Sequence, residues 1–269
     1  MRALLHYARV WLAFARFGLM RELSFRGNFL IKVSVELLWL AILLVFYDMV
    51  FTHTRVVADW SRDEYLFFVG CYYALGGVIE TFFLINCSEF AELVRTGDLD
   101  FYLLLPANEQ FLITSRDLDW ATLPNIFLGA AVSTVALVQL GWPVEVGRLV
   151  LFLILFGCGV ALAYSFLVLL TAASVWLVRN QSLYEVWWLF TTFMRYPREI
   201  FAGRWVYPVG WFFNFVVPII LVTNVPARLM VKALEPELAV YTVLASVVFL
   251  AISCKIFRLS LQHYRSASS

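Results

Sequence analysis

Charge is scarce in this 269-residue chain: Asp, Glu, Lys and Arg make up 14% of it, against about 25% in an ordinary soluble domain. The deficit is concentrated, because residues 120–144, 149–178 and 205–227 hold no Asp, Glu, Lys or Arg. A bilayer core of about 30 Å takes roughly 20 helical residues to cross, so each run is long enough to span. Net charge is only +1, which makes nucleic acid an unsuitable partner. Histidine is limited to His6, His53 and His263, far apart and in flanking segments. That spacing supplies neither a zinc set nor a base beside an intramembrane nucleophile. The four cysteines, Cys71, Cys87, Cys158 and Cys254, lack Cys-x-x-Cys spacing and read as small packing residues. No glycine-rich loop precedes Lys-Ser/Thr to cradle a phosphate, and Gly-x-Ser-x-Gly is also missing. No catalytic apparatus, metal or bound cofactor is therefore expected. The alternating segments of about ten residues that build a membrane barrel are absent too, which leaves helices to satisfy the backbone in lipid.

The expected fold is an all-α integral membrane protein with six spans. They fall at 28–50, at 64–86, from near Trp120, from near Leu149, in the apolar stretch after residue 185, and at 238–254. Pro208, Pro218 and Pro226, with Asn214 and Asn224, interrupt the fifth region, so 195–236 reads as a broken or re-entrant element. At the N-terminus Arg2, Arg9 and Arg16 recur every seven residues, with Leu4, Tyr7, Trp11 and Phe14 on the opposite helical face. That pattern predicts a helix over residues 1–26 lying in the membrane interface, basic face towards headgroups. Arginines threaded through this segment argue against a cleavable signal peptide. Five basic residues against Glu22 alone place it in the cytoplasm; both termini are expected there, with loop 52–63 outside.

Three charges fall within the spans: Lys32, Glu36 and Glu80. Lys32 and Glu36 stand one turn apart and could neutralise one another. Structural pairing or headgroup contact is the plain reading; ion coupling, or a cavity for a cationic substrate, is the sharper one. Gly157, Gly159, Ala161 and Ala163 permit close helix approach, either within the subunit or to a second one. The polar stretch 87–119 is the most specific feature. Ser88 can cap a short helix that Gly97 ends. Phe90, Leu93 and Val94 form its apolar face, while Glu89, Glu92 and Arg95 are polar. Such a helix suits a partner's groove or, equally, the membrane surface.

The segment LVRTGDLDFYLLLP, residues 93–106, resembles the signature loop of the type-2 ABC transporter permeases. RYPREIF at 195–201, with PIILVTNVP at 218–226, is similar to that family's second signature. Arg198 and Glu199 stand where the family is usually apolar, and Leu105 replaces a common arginine before the proline. The resemblance implies a single permease domain over the whole chain, with residues 1–26 as the elbow helix and 87–119 as the cytoplasmic coupling loop. Glu89, Phe90, Glu92, Leu93, Val94, Arg95, Gly97, Asp98 and Asp100 would meet the ATPase. Lys32, Glu36 and Glu80 remain the residues for a substrate path. The implied partners are cytoplasmic ABC ATPase subunits, which bind ATP and Mg, and a second permease, identical or related, in a bacterial inner membrane. Relatives of this architecture export lipids, glycans or hydrophobic drugs. An ion-coupled carrier using Glu36 and Glu80, and a membrane scaffold, are the rival readings.

Overall fold

A computed structural model describes residues 2–143, 145–177, 181–204, 206–233 and 235–264. Arg179 and Arg265, basic residues that flank the expected spans, lie outside the described residues, as do the side chains of Arg2 and Leu4. The described chain is helical apart from a hairpin of two-residue strands, β1 (Val56–Val57) and β2 (Trp60–Ser61). Its turn residues Ala58 and Asp59 both have positive φ, which a two-residue hairpin demands.

Helix α1 (Arg2–Ser24) ends at a break at Phe25, and α2 (Arg26–His53) follows. The side chains of α2 are exposed almost all round, with only Leu40, Leu43 and Tyr47 buried. A helix apolar on every face and unburied by its own protein requires lipid or another subunit. Beyond the hairpin the Ser61–Glu64 capping box starts α3 (Arg62–Ile79). A π-helical turn at Glu80–Leu84 leads into α4 (Ile85–Thr96) without a break, so Arg62–Thr96 forms one helix of 35 residues. The expected separate helix beginning at Ser88 is not formed. The Ser88 hydroxyl donates to Ile85 O within the continuing helix rather than capping a new one. Gly97 does end the helix, in the left-handed conformation with φ +81°.

Two short helices follow, α5 (Leu99–Leu103) and α6 (Glu109–Ser115), the latter capped by the Asn108 side chain. The next apolar helix, α7 (Leu123–Gln139), starts after Trp120, whose indole instead donates to Ala15 O on α1. It lies against α3 so closely that a Cβ on Gly129 would sit 2.3 Å from Ala74 N. Helix α8 (Val146–Leu177) packs on α12 (Pro236–His263), and Gly159 allows Val222 O to approach. Gly157 faces open space, so one of the two expected contact glycines packs within the chain.

Between these helices run α9 (Gln181–Met194), a 3₁₀ turn at Arg198–Ala202, the bent pair Tyr207–Val216 and Ile219–Val231, and then α12. Within the pair, α10 (Tyr207–Trp211) continues as a π turn, and α11 (Ile219–Val231) turns away by 84°. Some of the polar backbone here finds side-chain partners inside the protein. Buried Asn224 on α11 accepts from Arg198 N and donates to Tyr196 O. Arg198 and Glu199, out of place by family pattern, belong to an ion-pair network. Arg198 binds Glu235, Arg228 binds both Glu199 and Glu235, and Trp60 donates to Glu199 at 3.0 Å. The network ties the hairpin to the broken region.

Among the described residues, four helices are long and apolar enough to cross a bilayer: Arg26–His53, Arg62–Thr96, Val146–Trp176 and Pro236–His263. The bent pair brings these to five if it is one span, and α7, with 17 residues, is shorter. The chain is thus an all-helical, multi-pass membrane protein. One end carries the hairpin and the ion-pair network. The other carries α1, α4 to α6 and the end of α12, where Phe257 packs on Phe90.

Helix α1, the expected interfacial helix, packs one face on the protein. Tyr7 packs edge-on against Phe111, Trp11 against Phe82, and Arg21 pairs with Asp117. Its aromatic face is thereby spent on the protein itself, and exposed Arg9 and Arg16 share the outer surface with Leu5, Leu12 and Phe17.

Candidate functional site

Two places in the fold collect the chemistry. The first is the turn at the end of α4. Phe90 has no exposed surface; its ring lies 5.6 Å from that of Phe257, within a cluster that includes Leu99, Ile113, Val168 and Ala172. Leu93 and Val94 are half-buried against the same cluster. The exposed apolar face expected from Phe90, Leu93 and Val94 is therefore turned into the core. A helical pattern assigns residues to a face, and here the facing partner is α12 rather than an open groove.

What the turn exposes is different. Glu92 and Arg95 pair on the surface, and Thr96 donates to Asp98 at 2.8 Å across Gly97. Glu89 binds Arg116 at 2.6 Å, and that guanidinium stacks over the Tyr102 ring at 5.3 Å. Asp100 lies in the first turn of α5. Beyond it Phe101 is 71% and Leu104 82% exposed, with Leu105 beside them. The surface is two large apolar side chains, Phe101 on a braced five-residue helix and Leu104 at its C-cap, rimmed by Glu92, Arg95 and Asp98.

The second place is a cavity of about 760 Å³ between α2, the α3–α4 helix, the start of α7 and the end of α9. Lys32, Glu36 and Glu80 all line it, as do Trp39, Tyr72, Tyr73, Asp119, Asn125 and Arg195. Glu80 opens the π turn, an irregularity frequent at functional sites. Asn125 Nδ2 donates to Glu36 Oε2 at 2.8 Å and lies 3.5 Å from Glu80 Oε2, so one amide joins two helices' carboxylates. The expected Lys32–Glu36 pair is not formed: Lys32 reaches back to Glu22 on α1 at 3.2 Å. Lysine preceding glutamate by four residues is the weaker helical orientation, and Glu22 offers a nearly buried partner.

Sequence reasoning missed Asn125, Arg195, Tyr72 and Tyr73 at this cavity, and Phe101 and Leu104 at the turn. An amide inside the charge-free run 120–144 was the available signal for Asn125. The rest depend on which helices become neighbours.

A family model described as ABC-2 family transporter protein matches residues 37–268, which takes in the turn, most of the cavity and the broken region. No curated protein and no solved structure matches the chain.

Proposed function

The chain belongs to the ABC-2 family of transporter proteins, and from that premise we propose that it is an export permease driven by ATP hydrolysed in a separate polypeptide. The observation that carries this reading is the unbroken helix Arg62–Thr96, which runs from the exposed turn past Glu80 to the hairpin. A soluble ATPase seated on Phe101 and Leu104 would pull on α5, and the helix would deliver that movement to the cavity wall. The π turn at Glu80–Leu84 is the joint where the two conformations differ, and ATP-driven closure of the ATPase biases their populations. ATP and Mg belong to the ATPase. The cavity is the substrate path, and the bare surface of α2 beside it suits a second permease, identical or related. The substrate is lipid-like, a glycan or a hydrophobic or cationic drug.

In this reading the end bearing α1 and the turn faces the cytoplasm of a bacterium, and the hairpin faces outwards. In a cysteine-free background, a membrane-impermeant maleimide should label Thr54→Cys in intact cells and Thr96→Cys only after permeabilisation. The reverse pattern overturns the orientation.

The function itself is tested by hydrolysis assays. The purified chain should release no phosphate from ATP, and addition of its soluble ATPase should give hydrolysis that responds to the permease. Sustained hydrolysis by the chain alone, with contaminants excluded, contradicts the division of labour.

A further inference from the structure

We infer that the cavity beside α2 binds a hydrophobic organic cation, with Glu36 and Glu80 as its counter-charge; this rests on the cavity being the permease's substrate path. The volume, about 760 Å³, falls within the roughly 300–1,000 Å³ of ligand pockets and far exceeds what a bare metal ion needs. Trp39, Tyr72 and Tyr73 supply aromatic surface, whose ring faces attract cations.

The charges are arranged for a cation as well. Glu36 and Glu80 converge on the single Nδ2 of Asn125, so two carboxylates share one donor group at membrane depth. Like charges brought this close repel, and the repulsion is relieved when one carboxylate holds a proton or when the pair binds a cation. The two basic residues lining the cavity, Lys32 and Arg195, are not paired with these carboxylates. Lys32 is committed to Glu22, and among the described residues no Lys, Arg or His forms an ion pair with Glu36 or Glu80. Arg195, the other basic residue lining the cavity, forms no ion pair with either carboxylate. Asn125 is itself 3% exposed, and its Oδ1 is buried with no hydrogen-bond partner among the described residues. A buried amide with one half unsatisfied is costly for stability alone and is better explained as holding the two carboxylates in place.

Tetraphenylphosphonium and tetraphenylborate have nearly the same shape and opposite charge, which isolates the electrostatic claim. Binding of each is measured on the full chain in zwitterionic nanodiscs, net of empty discs. The phosphonium should bind at least tenfold more tightly than the borate, and Glu36→Gln/Glu80→Gln should remove that preference without moving the melting temperature. Equal binding of the two ions by the unaltered chain overturns the inference. So does a folded double variant that keeps the preference. The ion comparison on the unaltered chain decides the matter even where the double variant does not fold. Binding requires no ATPase, so a failure of ATP-driven transport counts against the permease reading and not against this site.

Discussion

Phe101→Ala/Leu104→Ala is expected to weaken binding of the soluble ATPase a hundredfold or more while leaving the permease's melting temperature unchanged. Both side chains are largely exposed, so removing them leaves no cavity in the folded chain. Seated in a partner's groove, a Leu or Phe side chain is worth about 1.5–3 kcal/mol. Loss of two at about 1.4 kcal/mol per decade gives the stated factor. The check is titration of the ATPase onto permease in nanodiscs, with thermal unfolding in parallel. Undiminished binding would mean that this turn merely rests against the membrane.

Phe90→Ala should do the opposite. Its ring is wholly enclosed by α5, α6, α8 and α12, so truncation leaves a void and costs about 3–5 kcal/mol. Thermal unfolding in detergent should show a large drop in melting temperature, with ATPase docking lost only as a consequence. Leu93→Ala, at a half-buried position, should cost less. A Phe90→Ala protein that melts like its parent but no longer holds the ATPase would return the docking face to α4. Measured side by side, the two substitutions separate a packing residue from the proposed docking residues in the turn that follows.

The helical membrane character was legible because a charge-free run of roughly 20 residues matches the thickness of a bilayer core and is poorly solvated by water. The break near residue 218 was legible for a similar reason: three prolines cannot all sit in one regular span. Gly97 marked the end of its helix because only glycine adopts φ +81° without penalty. The start of that helix was misread. Asn86, Ser88 and Glu89 look like the polar end of a span, yet Asn86 is buried, exchanging hydrogen bonds with the backbone of Asp117. Hydropathy reports contact with lipid, whereas a helix continues wherever its backbone bonds and side chains find partners. The same limit explains Phe90, since an apolar face does not name what covers it. At the cavity, Glu36, Glu80 and Asn125 stand far apart in the chain, so their meeting depends on helix packing alone. The Arg198, Glu199, Arg228 and Glu235 network is equally long-range, and without it two of its members looked misplaced.

The central claim is that a separate ATPase drives this permease through the turn after Gly97. A photo-crosslinking amino acid incorporated in place of Leu104, activated in intact membranes, tests it most directly. The account predicts a crosslinked product containing an ABC-type ATP-binding subunit, formed at higher yield than from the same probe in place of Val247 on the exposed face of α12. Crosslinks from position 104 to lipid alone, under conditions where ATP-driven transport proceeds, would contradict it.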